Sequence, residues 1–346
     1  MTIKHIVLCG GGPIGFVQFG VLEHLIENNI VNKEDIESVY CTSIGCVISL
    51  MIILKIPLQN WRDYLIKRPW EKLVTVSKYD YLNLFYTKGL FDIKFINSII
   101  EPLLRTNDLT VNITLLELYN ITKIDLHIFT TNLNKIDSVD FNYKSFPNLK
   151  LNECIYMSMC APGLLKPYFM EDECYIDGAF LANCPYFNCI KDKKCSPQEI
   201  LILNLNRIDT IHYTQKIYNY ITENNIDYDT SLNIQLNNGL TSNITSDSNI
   251  ITFFIYIVRQ LVHKVTNIEN LINTEDYEFN VNIENSKINC CYTCDNNSIF
   301  DWLNIISTKE CRKNLIYYGK ILAIEYIDKI NKIYKIDISN QIVCED

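Results

Sequence analysis

The stretch that decides the fold is IKHIVLCGGGPIGFVQFGVLEHLIEN, residues 3–28. Ile3–Cys9 is a short apolar run ending in glycines, the pattern of a buried strand. From Phe16 to Asn28, the apolar positions Phe16, Val17, Phe19, Val21, Leu22, Leu25 and Ile26 fall at helical spacing, and Asn28-Asn29 stops the helix. The order then repeats. Glu37–Thr42 reads as a second strand and Ile44–Leu54 as the helix after it. Asp125–Leu133, Ser138–Tyr143 and Ile200–Leu205 read as further strands. Leu151–Cys160 reads as a helix stopped by Ala161-Pro162-Gly163. Strands alternating with helices imply an α/β fold: a central, mostly parallel sheet flanked by helices on both faces.

The pattern changes after about residue 206. Residues 209–248 are rich in Asn, Asp, Thr and Ser and read as a loop or insertion. Ile250–Val265 is an apolar helix candidate, and Lys309–Ile330 has the spacing of an amphipathic terminal helix. The chain divides accordingly into a domain over 3–206 and a mainly helical C-terminal region over 207–346, a candidate lid or membrane or partner contact.

Composition narrows the function classes. The chain has 346 residues, 48% apolar and 21% charged, with 11 Gly and 9 Pro, which excludes a disordered chain and a Gly/Pro-rich fibre. The net charge of −9 lacks the basic footprint of a nucleic-acid binder. It also gives no electrostatic attraction to anionic lipid, so membrane contact has to rely on apolar surface. The first residues lack a cleavage pattern, and the longest apolar run, Ile44–Leu54, is shorter than the ~18 residues of a span. The expectation is an intracellular chain with room for peripheral membrane contact. The fourteen cysteines are expected to be reduced, packed thiols. Cys290, Cys291 and Cys294 form a C-C-x-x-C cluster, but without a second pair of ligands it is a weak zinc signal.

Three clusters can carry chemistry. The first is Gly10-Gly11-Gly12-Pro13-Ile14-Gly15, between a strand and a helix. As a dinucleotide loop it lacks its second requirement, an acidic residue ending the next strand, where Tyr40-Cys41-Thr42-Ser43 stands instead. Its other use is to aim the N–H groups of Gly11 and Gly12 at a developing oxyanion, a role Pro13 cannot share. The plain structural reading is a tight turn.

The second is Cys41-Thr42-Ser43-Ile44-Gly45, a G-x-S-x-G nucleophile elbow with Cys in place of the first Gly. The helix N-terminus and the Ile44 N–H would stabilise charge near Ser43. The plain reading makes Ser43 a helix N-cap.

The third is Asp177-Gly178-Ala179, an ordinary turn pair unless Asp177 serves as the base for Ser43. Of the five histidines, only His212 and His263 follow Asp177, as the order Ser-Asp-His requires, and neither has a loop setting that argues for catalysis.

Taken in this order, the clusters resemble the patatin-like phospholipases, with their G-G-G-x-[RK]-G, G-x-S-x-G and D-G-[GA] motifs. FGVLEHL (19–25), MSMCAPGLLKP (157–167) and NCP (183–185) are similar to further family segments. The resemblance covers about residues 3–206. It implies a three-layer fold and a lipid acyl hydrolase acting on phospholipid or lysophospholipid esters at a membrane or micelle surface, with no cofactor. It implies a dyad in which Ser43 is the nucleophile and Asp177 the proton acceptor, and an oxyanion hole from Gly11, Gly12 and Ile44. Gly10, Gly15, Cys41, Gly45, Gly178 and Ala179 complete the motifs. Two positions depart from the family: Ile14 replaces the basic residue, and Cys41 the first elbow glycine. The competing readings are a Ser-Asp-His esterase using His212 or His263, and an inactive relative that binds lipid or protein.

Overall fold

Along the central strands, side chains alternate between two cores. Ile6, Leu8, Val39, Cys41, Ile128, Leu201 and Leu203 enter one; Val7, Tyr40, Phe129, Ile200 and Ile202 enter the other. A sheet apolar on both faces has to be covered on both. The computed structural model that shows this describes residues 2–77, 83–84, 86–205, 283–290 and 299–341.

The first half runs β1 (His5–Leu8), α1 (Ile14–Glu27), β2 (Ser38–Thr42), α2 (Ile44–Ile53), α3 (Leu58–Lys67), α4 (Trp70–Leu73), β3 (Gly89–Phe91), α5 (Ile93–Leu104) and α6 (Leu115–Thr122). Next come β4 (Asp125–Asn132), β5 (Asp137–Phe141), α7 (Leu151–Met159), β6 (Gly163–Leu165), β7 (Tyr168–Met170) and β8 (Glu173–Asp177). The described remainder is α8 (Tyr186–Lys193), β9 (Ile200–Leu205), β10 (Lys287–Cys290), α9 (Ile299–Ser307) and α10 (Lys309–Gln341). Residues of α1, α2, α5, α7 and α10 fill the first core, and Tyr186 and Cys189 of α8 cap the second.

The main sheet has eight described strands. β10, β9, β1, β2 and β4 are mutually parallel in that order. β5 and β8 both run antiparallel to β4, and β7 runs antiparallel to β8. The α/β architecture with a parallel centre is therefore present, with an antiparallel part on the β4 side. β3 and β6 form a separate parallel pair.

The registers locate the site. β2 bonds Asp125–Phe129 of β4, β8 bonds Thr130–Asn132, and β5 bonds Ile128–Asn132. A strand has only two edges. Because β5 overlaps both neighbours along β4, β2 and β8 must share the opposite edge, end to end. Where β2 turns away after Thr42, β8 arrives with Asp177.

The C-terminal segments pack into the same body. β10 ends the sheet among the described strands, and α10 crosses α1 where glycine faces backbone. A Cβ on Gly20 would strike the Ile316 carbonyl, and one on Gly319 the Val17 carbonyl. Arg312, 2% exposed, donates to the carbonyls of Leu65 (2.9 Å), Ile66 (2.8 Å), Ile306 (2.7 Å) and Ser307 (3.0 Å). These are last-turn carbonyls of α3 and α9, which have no partner within their own helices. α10 also extends past Ile330, and β10 carries no sequence signal strong enough to mark it. The segments 209–248 and 250–265, with His212 and His263, lie outside the described residues, as do Cys291 and Cys294. No described helix is long and apolar enough to cross a membrane.

Candidate active site

The turn from β2 into α2 holds Ser43 at φ 53, ψ −124. A non-glycine residue there is strained, and such strain persists only where the surroundings enforce it. Two contacts do so. The Ser43 N–H donates to Ser158 Oγ (2.8 Å), whose hydroxyl donates to the Phe129 carbonyl (2.5 Å). Two residues on, Gly45 lets α2 press against β1: a Cβ there would lie 2.5 Å from the Leu8 carbonyl oxygen. Cys41, at the position of the first elbow glycine, points into the core, where its sulfur lies 3.4 Å from the His127 carbonyl and 3.9 Å from Ser49 Oγ. The small Ser49 on α2 leaves room for the sulfur, so the elbow keeps its shape without the glycine.

Ser43 Oγ donates to Asp177 Oδ2 at 2.7 Å, and both residues are buried, 7% and 5% exposed. The other carboxylate oxygen, Oδ1, accepts the Ala179 N–H (2.8 Å). Gly178 lets this turn approach β4, since a Cβ would run into the Phe129 carbonyl. Burial raises the Asp177 pKa to about 6, against the lowering pull of the Ala179 and Ser43 hydrogen bonds. A carboxylate in such a site is a far better base near neutral pH than one in water.

The glycine turn borders the same place. A Cβ on Gly10 would lie 2.9 Å from Ser43 Cβ and 2.9 Å from Asn183 Oδ1. The Gly10 N–H is shared between the Asn183 carbonyl (3.2 Å) and Oδ1 (3.1 Å). Gly11 and Gly12 have φ of 148 and 60. Ile44 is the first residue of α2, whose opening N–H groups have no acceptor within the helix. Ile14 is fully buried on α1 and Gly15 packs against Ile44, so position 14 presents no side chain to solvent.

Ser158, Asn183 and Thr130 were not assigned roles from sequence. Thr130 Oγ1 lies 3.0 Å from the Met157 carbonyl and 2.9 Å from that of Ile176, tying α7 and β8 to β4 beside Ser43 and Asp177. Ser158 and Asn183 fall inside the segments MSMCAPG and NCP, so their neighbourhood was visible although their partners were not.

The described histidines lie elsewhere. His5 is hydrogen-bonded to Ser38 (2.8 Å) at the start of β1 and β2, and His24 to Asn28 on the outer part of α1. His127 is buried near the start of β4, stacked on Tyr40 with ring centroids 4.0 Å apart. Its Nδ1 donates to Asp140 (2.7 Å), and its Nε2 faces Asp125 (3.2 Å) and Asp192 (3.6 Å). Asp125, His127 and Asp192 are spaced to share a metal ion. The Lys193 ammonium already stands between the two carboxylates, 2.6 Å from Asp125 and 3.0 Å from Asp192, and Lys144 reaches Asp125 at 3.1 Å. Three carboxylates against two lysines leave one negative charge, which a proton on His127 would balance. Burial opposes that proton, but the bonds to Asp125 and Asp140 prevail and raise the His127 pKa.

Comparison with known proteins gives the following. The family model described as patatin-like phospholipase matches residues 6–190. An uncharacterised protein, R571, of Acanthamoeba polyphaga mimivirus is 25% identical over 183 residues, covering 53% of this chain and 60% of the relative's length. Among solved structures, VipD from Legionella pneumophila aligns with a TM-score of 0.47 at 13% identity, covering 95% of this chain and 67% of that one. The type III effector protein ExoU aligns with a TM-score of 0.33 at 13% identity, covering 62% and 46%.

Proposed function

Since the chain belongs to the patatin-like phospholipase family, we propose that it is a lipid acyl hydrolase working through Ser43 and Asp177, on phospholipid or lysophospholipid esters. The observation that carries this reading is the direct 2.7 Å hydrogen bond from Ser43 Oγ to a buried carboxylate. It supports a dyad over a histidine triad, because the serine proton already has an acceptor.

Ser43 Oγ attacks the ester carbonyl carbon as Asp177 Oδ2 takes its proton. The N–H groups of Gly11, Gly12 and Ile44 receive the negative charge on the carbonyl oxygen. The tetrahedral centre collapses, the ester C–O bond breaks, and Asp177 passes the proton to the departing alcohol. Water then attacks the acyl-serine, Asp177 takes a proton from it, and the fatty acid leaves as that proton returns to Ser43.

The test is hydrolysis of p-nitrophenyl butyrate and of mixed phospholipid vesicles by wild type, Ser43→Ala and a variant lacking both His212 and His263. The expected result is activity abolished by Ser43→Ala and retained without the histidines. Loss of activity on removing the histidines would favour the triad. A folded wild type inactive on both substrates would favour a lipid- or protein-binding relative.

A further inference from the structure

Three adjacent glycines have little conformational preference of their own, so the Gly10–Gly12 turn takes its shape from what touches it. Asn183 holds Gly10, and Gln18 Nε2 donates to the Cys9 carbonyl (2.8 Å). Gly11 and Gly12 lean on side chains from beyond the family-matched segment. A Cβ on Gly11 would lie 3.0 Å from a Leu205 methyl. A Cβ on Gly12 would lie 2.7–3.0 Å from Cε3, Cδ2 and Cζ3 of Trp302. The edge of the Trp302 six-membered ring thus fills the space beside Gly12. Its helix, α9, is anchored at the far end by Arg312 on the Ile306 and Ser307 carbonyls.

We propose that Trp302 is a positioning residue for the oxyanion turn, and that the C-terminal region is through it a working part of the catalytic unit. The ring holds Gly12 at φ 60, with its N–H aimed at the oxygen of an ester bound to Ser43. This rests on the hydrolase reading above. Trp302 acts by shape. Its Nε1, which has no hydrogen-bond partner among the described residues, lies on the opposite edge of the indole from Cε3 and Cζ3. A phenyl ring should therefore serve in its place, which it would not if the indole N–H were the working group.

The experiment compares wild type with Trp302→Ala, Trp302→Leu and Trp302→Phe. It measures kcat and KM on p-nitrophenyl butyrate, and the rate at which a fluorophosphonate captures Ser43, since its phosphoryl oxygen must enter the same hole. Displacing an oxyanion donor lowers turnover by about 10- to 100-fold. That loss is expected in kcat and capture rate for Trp302→Ala, with KM within about threefold, and Trp302→Phe should recover both. Trp302→Leu keeps apolar volume without a flat edge and should fold while showing most of the loss, so the test stands even if the alanine variant unfolds. Wild-type kcat in folded Ala or Leu variants, a change in KM alone, or equal loss in Leu and Phe would overturn the proposal. A wild type that neither turns over nor captures the probe would instead overturn the hydrolase reading beneath it.

Discussion

Phe129 and Thr130 are consecutive on β4, yet their partners run in opposite directions: Phe129 pairs with Thr42 of the parallel β2, Thr130 with Asp177 of the antiparallel β8. Ser43 and Asp177 meet at this junction, enclosed by strand backbone. The enclosure that would suit Asp177 to act as a base also makes its charged form a cost to the fold.

Asp177→Asn should lower turnover by roughly 10²- to 10⁴-fold and raise stability at neutral pH. A carboxyl shifted from its ordinary value near 4 up to about 6 is disfavoured in its charged, folded form. Above pH 6 this costs about 3 kcal/mol relative to the unfolded chain. As pH falls toward 4 the folded form is protonated first and the cost disappears. Urea unfolding of both proteins should show the asparagine variant ahead at pH 7.5 and the gap closed at pH 4. A less stable variant at pH 7.5 would count against a buried, charged Asp177.

The pH dependence of kcat/KM on a neutral ester should show a single acid limb. In the proposed dyad only ionised Asp177 can accept the Ser43 proton, so the rate should climb below about pH 6 and level off above it. The midpoint should move little with temperature, because carboxyl groups ionise with little heat while imidazoles do not. A strongly temperature-dependent midpoint would point to a histidine.

His127→Gln should destabilise the protein most at or below neutral pH. The raised pKa of His127 means that its contribution is fully present below the unfolded value near 6.5 and is lost as pH rises through the folded one. Asp125 has the opposite dependence. Burial would raise its pKa, but His127 and Lys193 hold it well below the usual carboxylate range, so its contribution is lost as pH falls. Melting temperatures of wild type and variant should converge in alkaline solution. A gap that widened there would contradict a protonated ring.

Cys41→Gly restores the family's elbow sequence but should not improve hydrolysis on the proposed mechanism. The sulfur is packed against Ser49 and the His127 carbonyl, so its removal leaves a void and adds backbone freedom to a central strand. A loss of about 1–3 kcal/mol is expected, with kcat near wild type. A denaturation midpoint and one kinetic run suffice, and a large gain in kcat would show that the cysteine distorts the elbow.

Gly319→Leu should separate α10 from α1. Its side chain would enter the Val17 carbonyl, at a cost of about 3 kcal/mol. Increased protease sensitivity of the last helix, with the central strands still protected in hydrogen exchange, is the expected sign. An unchanged melting temperature would mean that the helices need not cross so closely.

The strands that carry the site were legible because they are buried on both faces: Ile200–Leu205 reads as a strand and is one, and the Glu37–Thr42 run contains β2. The serine and aspartate clusters pointed to side chains that lie one hydrogen bond apart, with the glycine turn beside them. What stayed hidden depends on tertiary partners. β3, β6, β7 and β10 are only three or four residues long and carry no periodicity to detect. Ser158 became visible as the acceptor for the Ser43 N–H only once α7 was set against β4. Trp302 stands in a stretch with no motif, and its contact with Gly12 spans most of the chain. Which strands run antiparallel is not legible for a similar reason, since strand direction is set by where a hairpin is received.

The junction on β4 also sets a schedule for the growing chain. Ser43 and Asp177 lie 134 residues apart in sequence, and the ring that braces Gly12 lies farther along still. A nascent chain emerging from the ribosome carries Ser43 early, at the end of β2, while β4, one of that strand's two neighbours, has yet to be made. Ser43 meets Asp177 only after β8 is synthesised, and Gly12 meets Trp302 only when α9 is in place. On the proposed mechanism, ribosome-tethered fragments ending before α9 should therefore hold a serine that is present but idle, so that synthesis itself delays the first hydrolytic turnover.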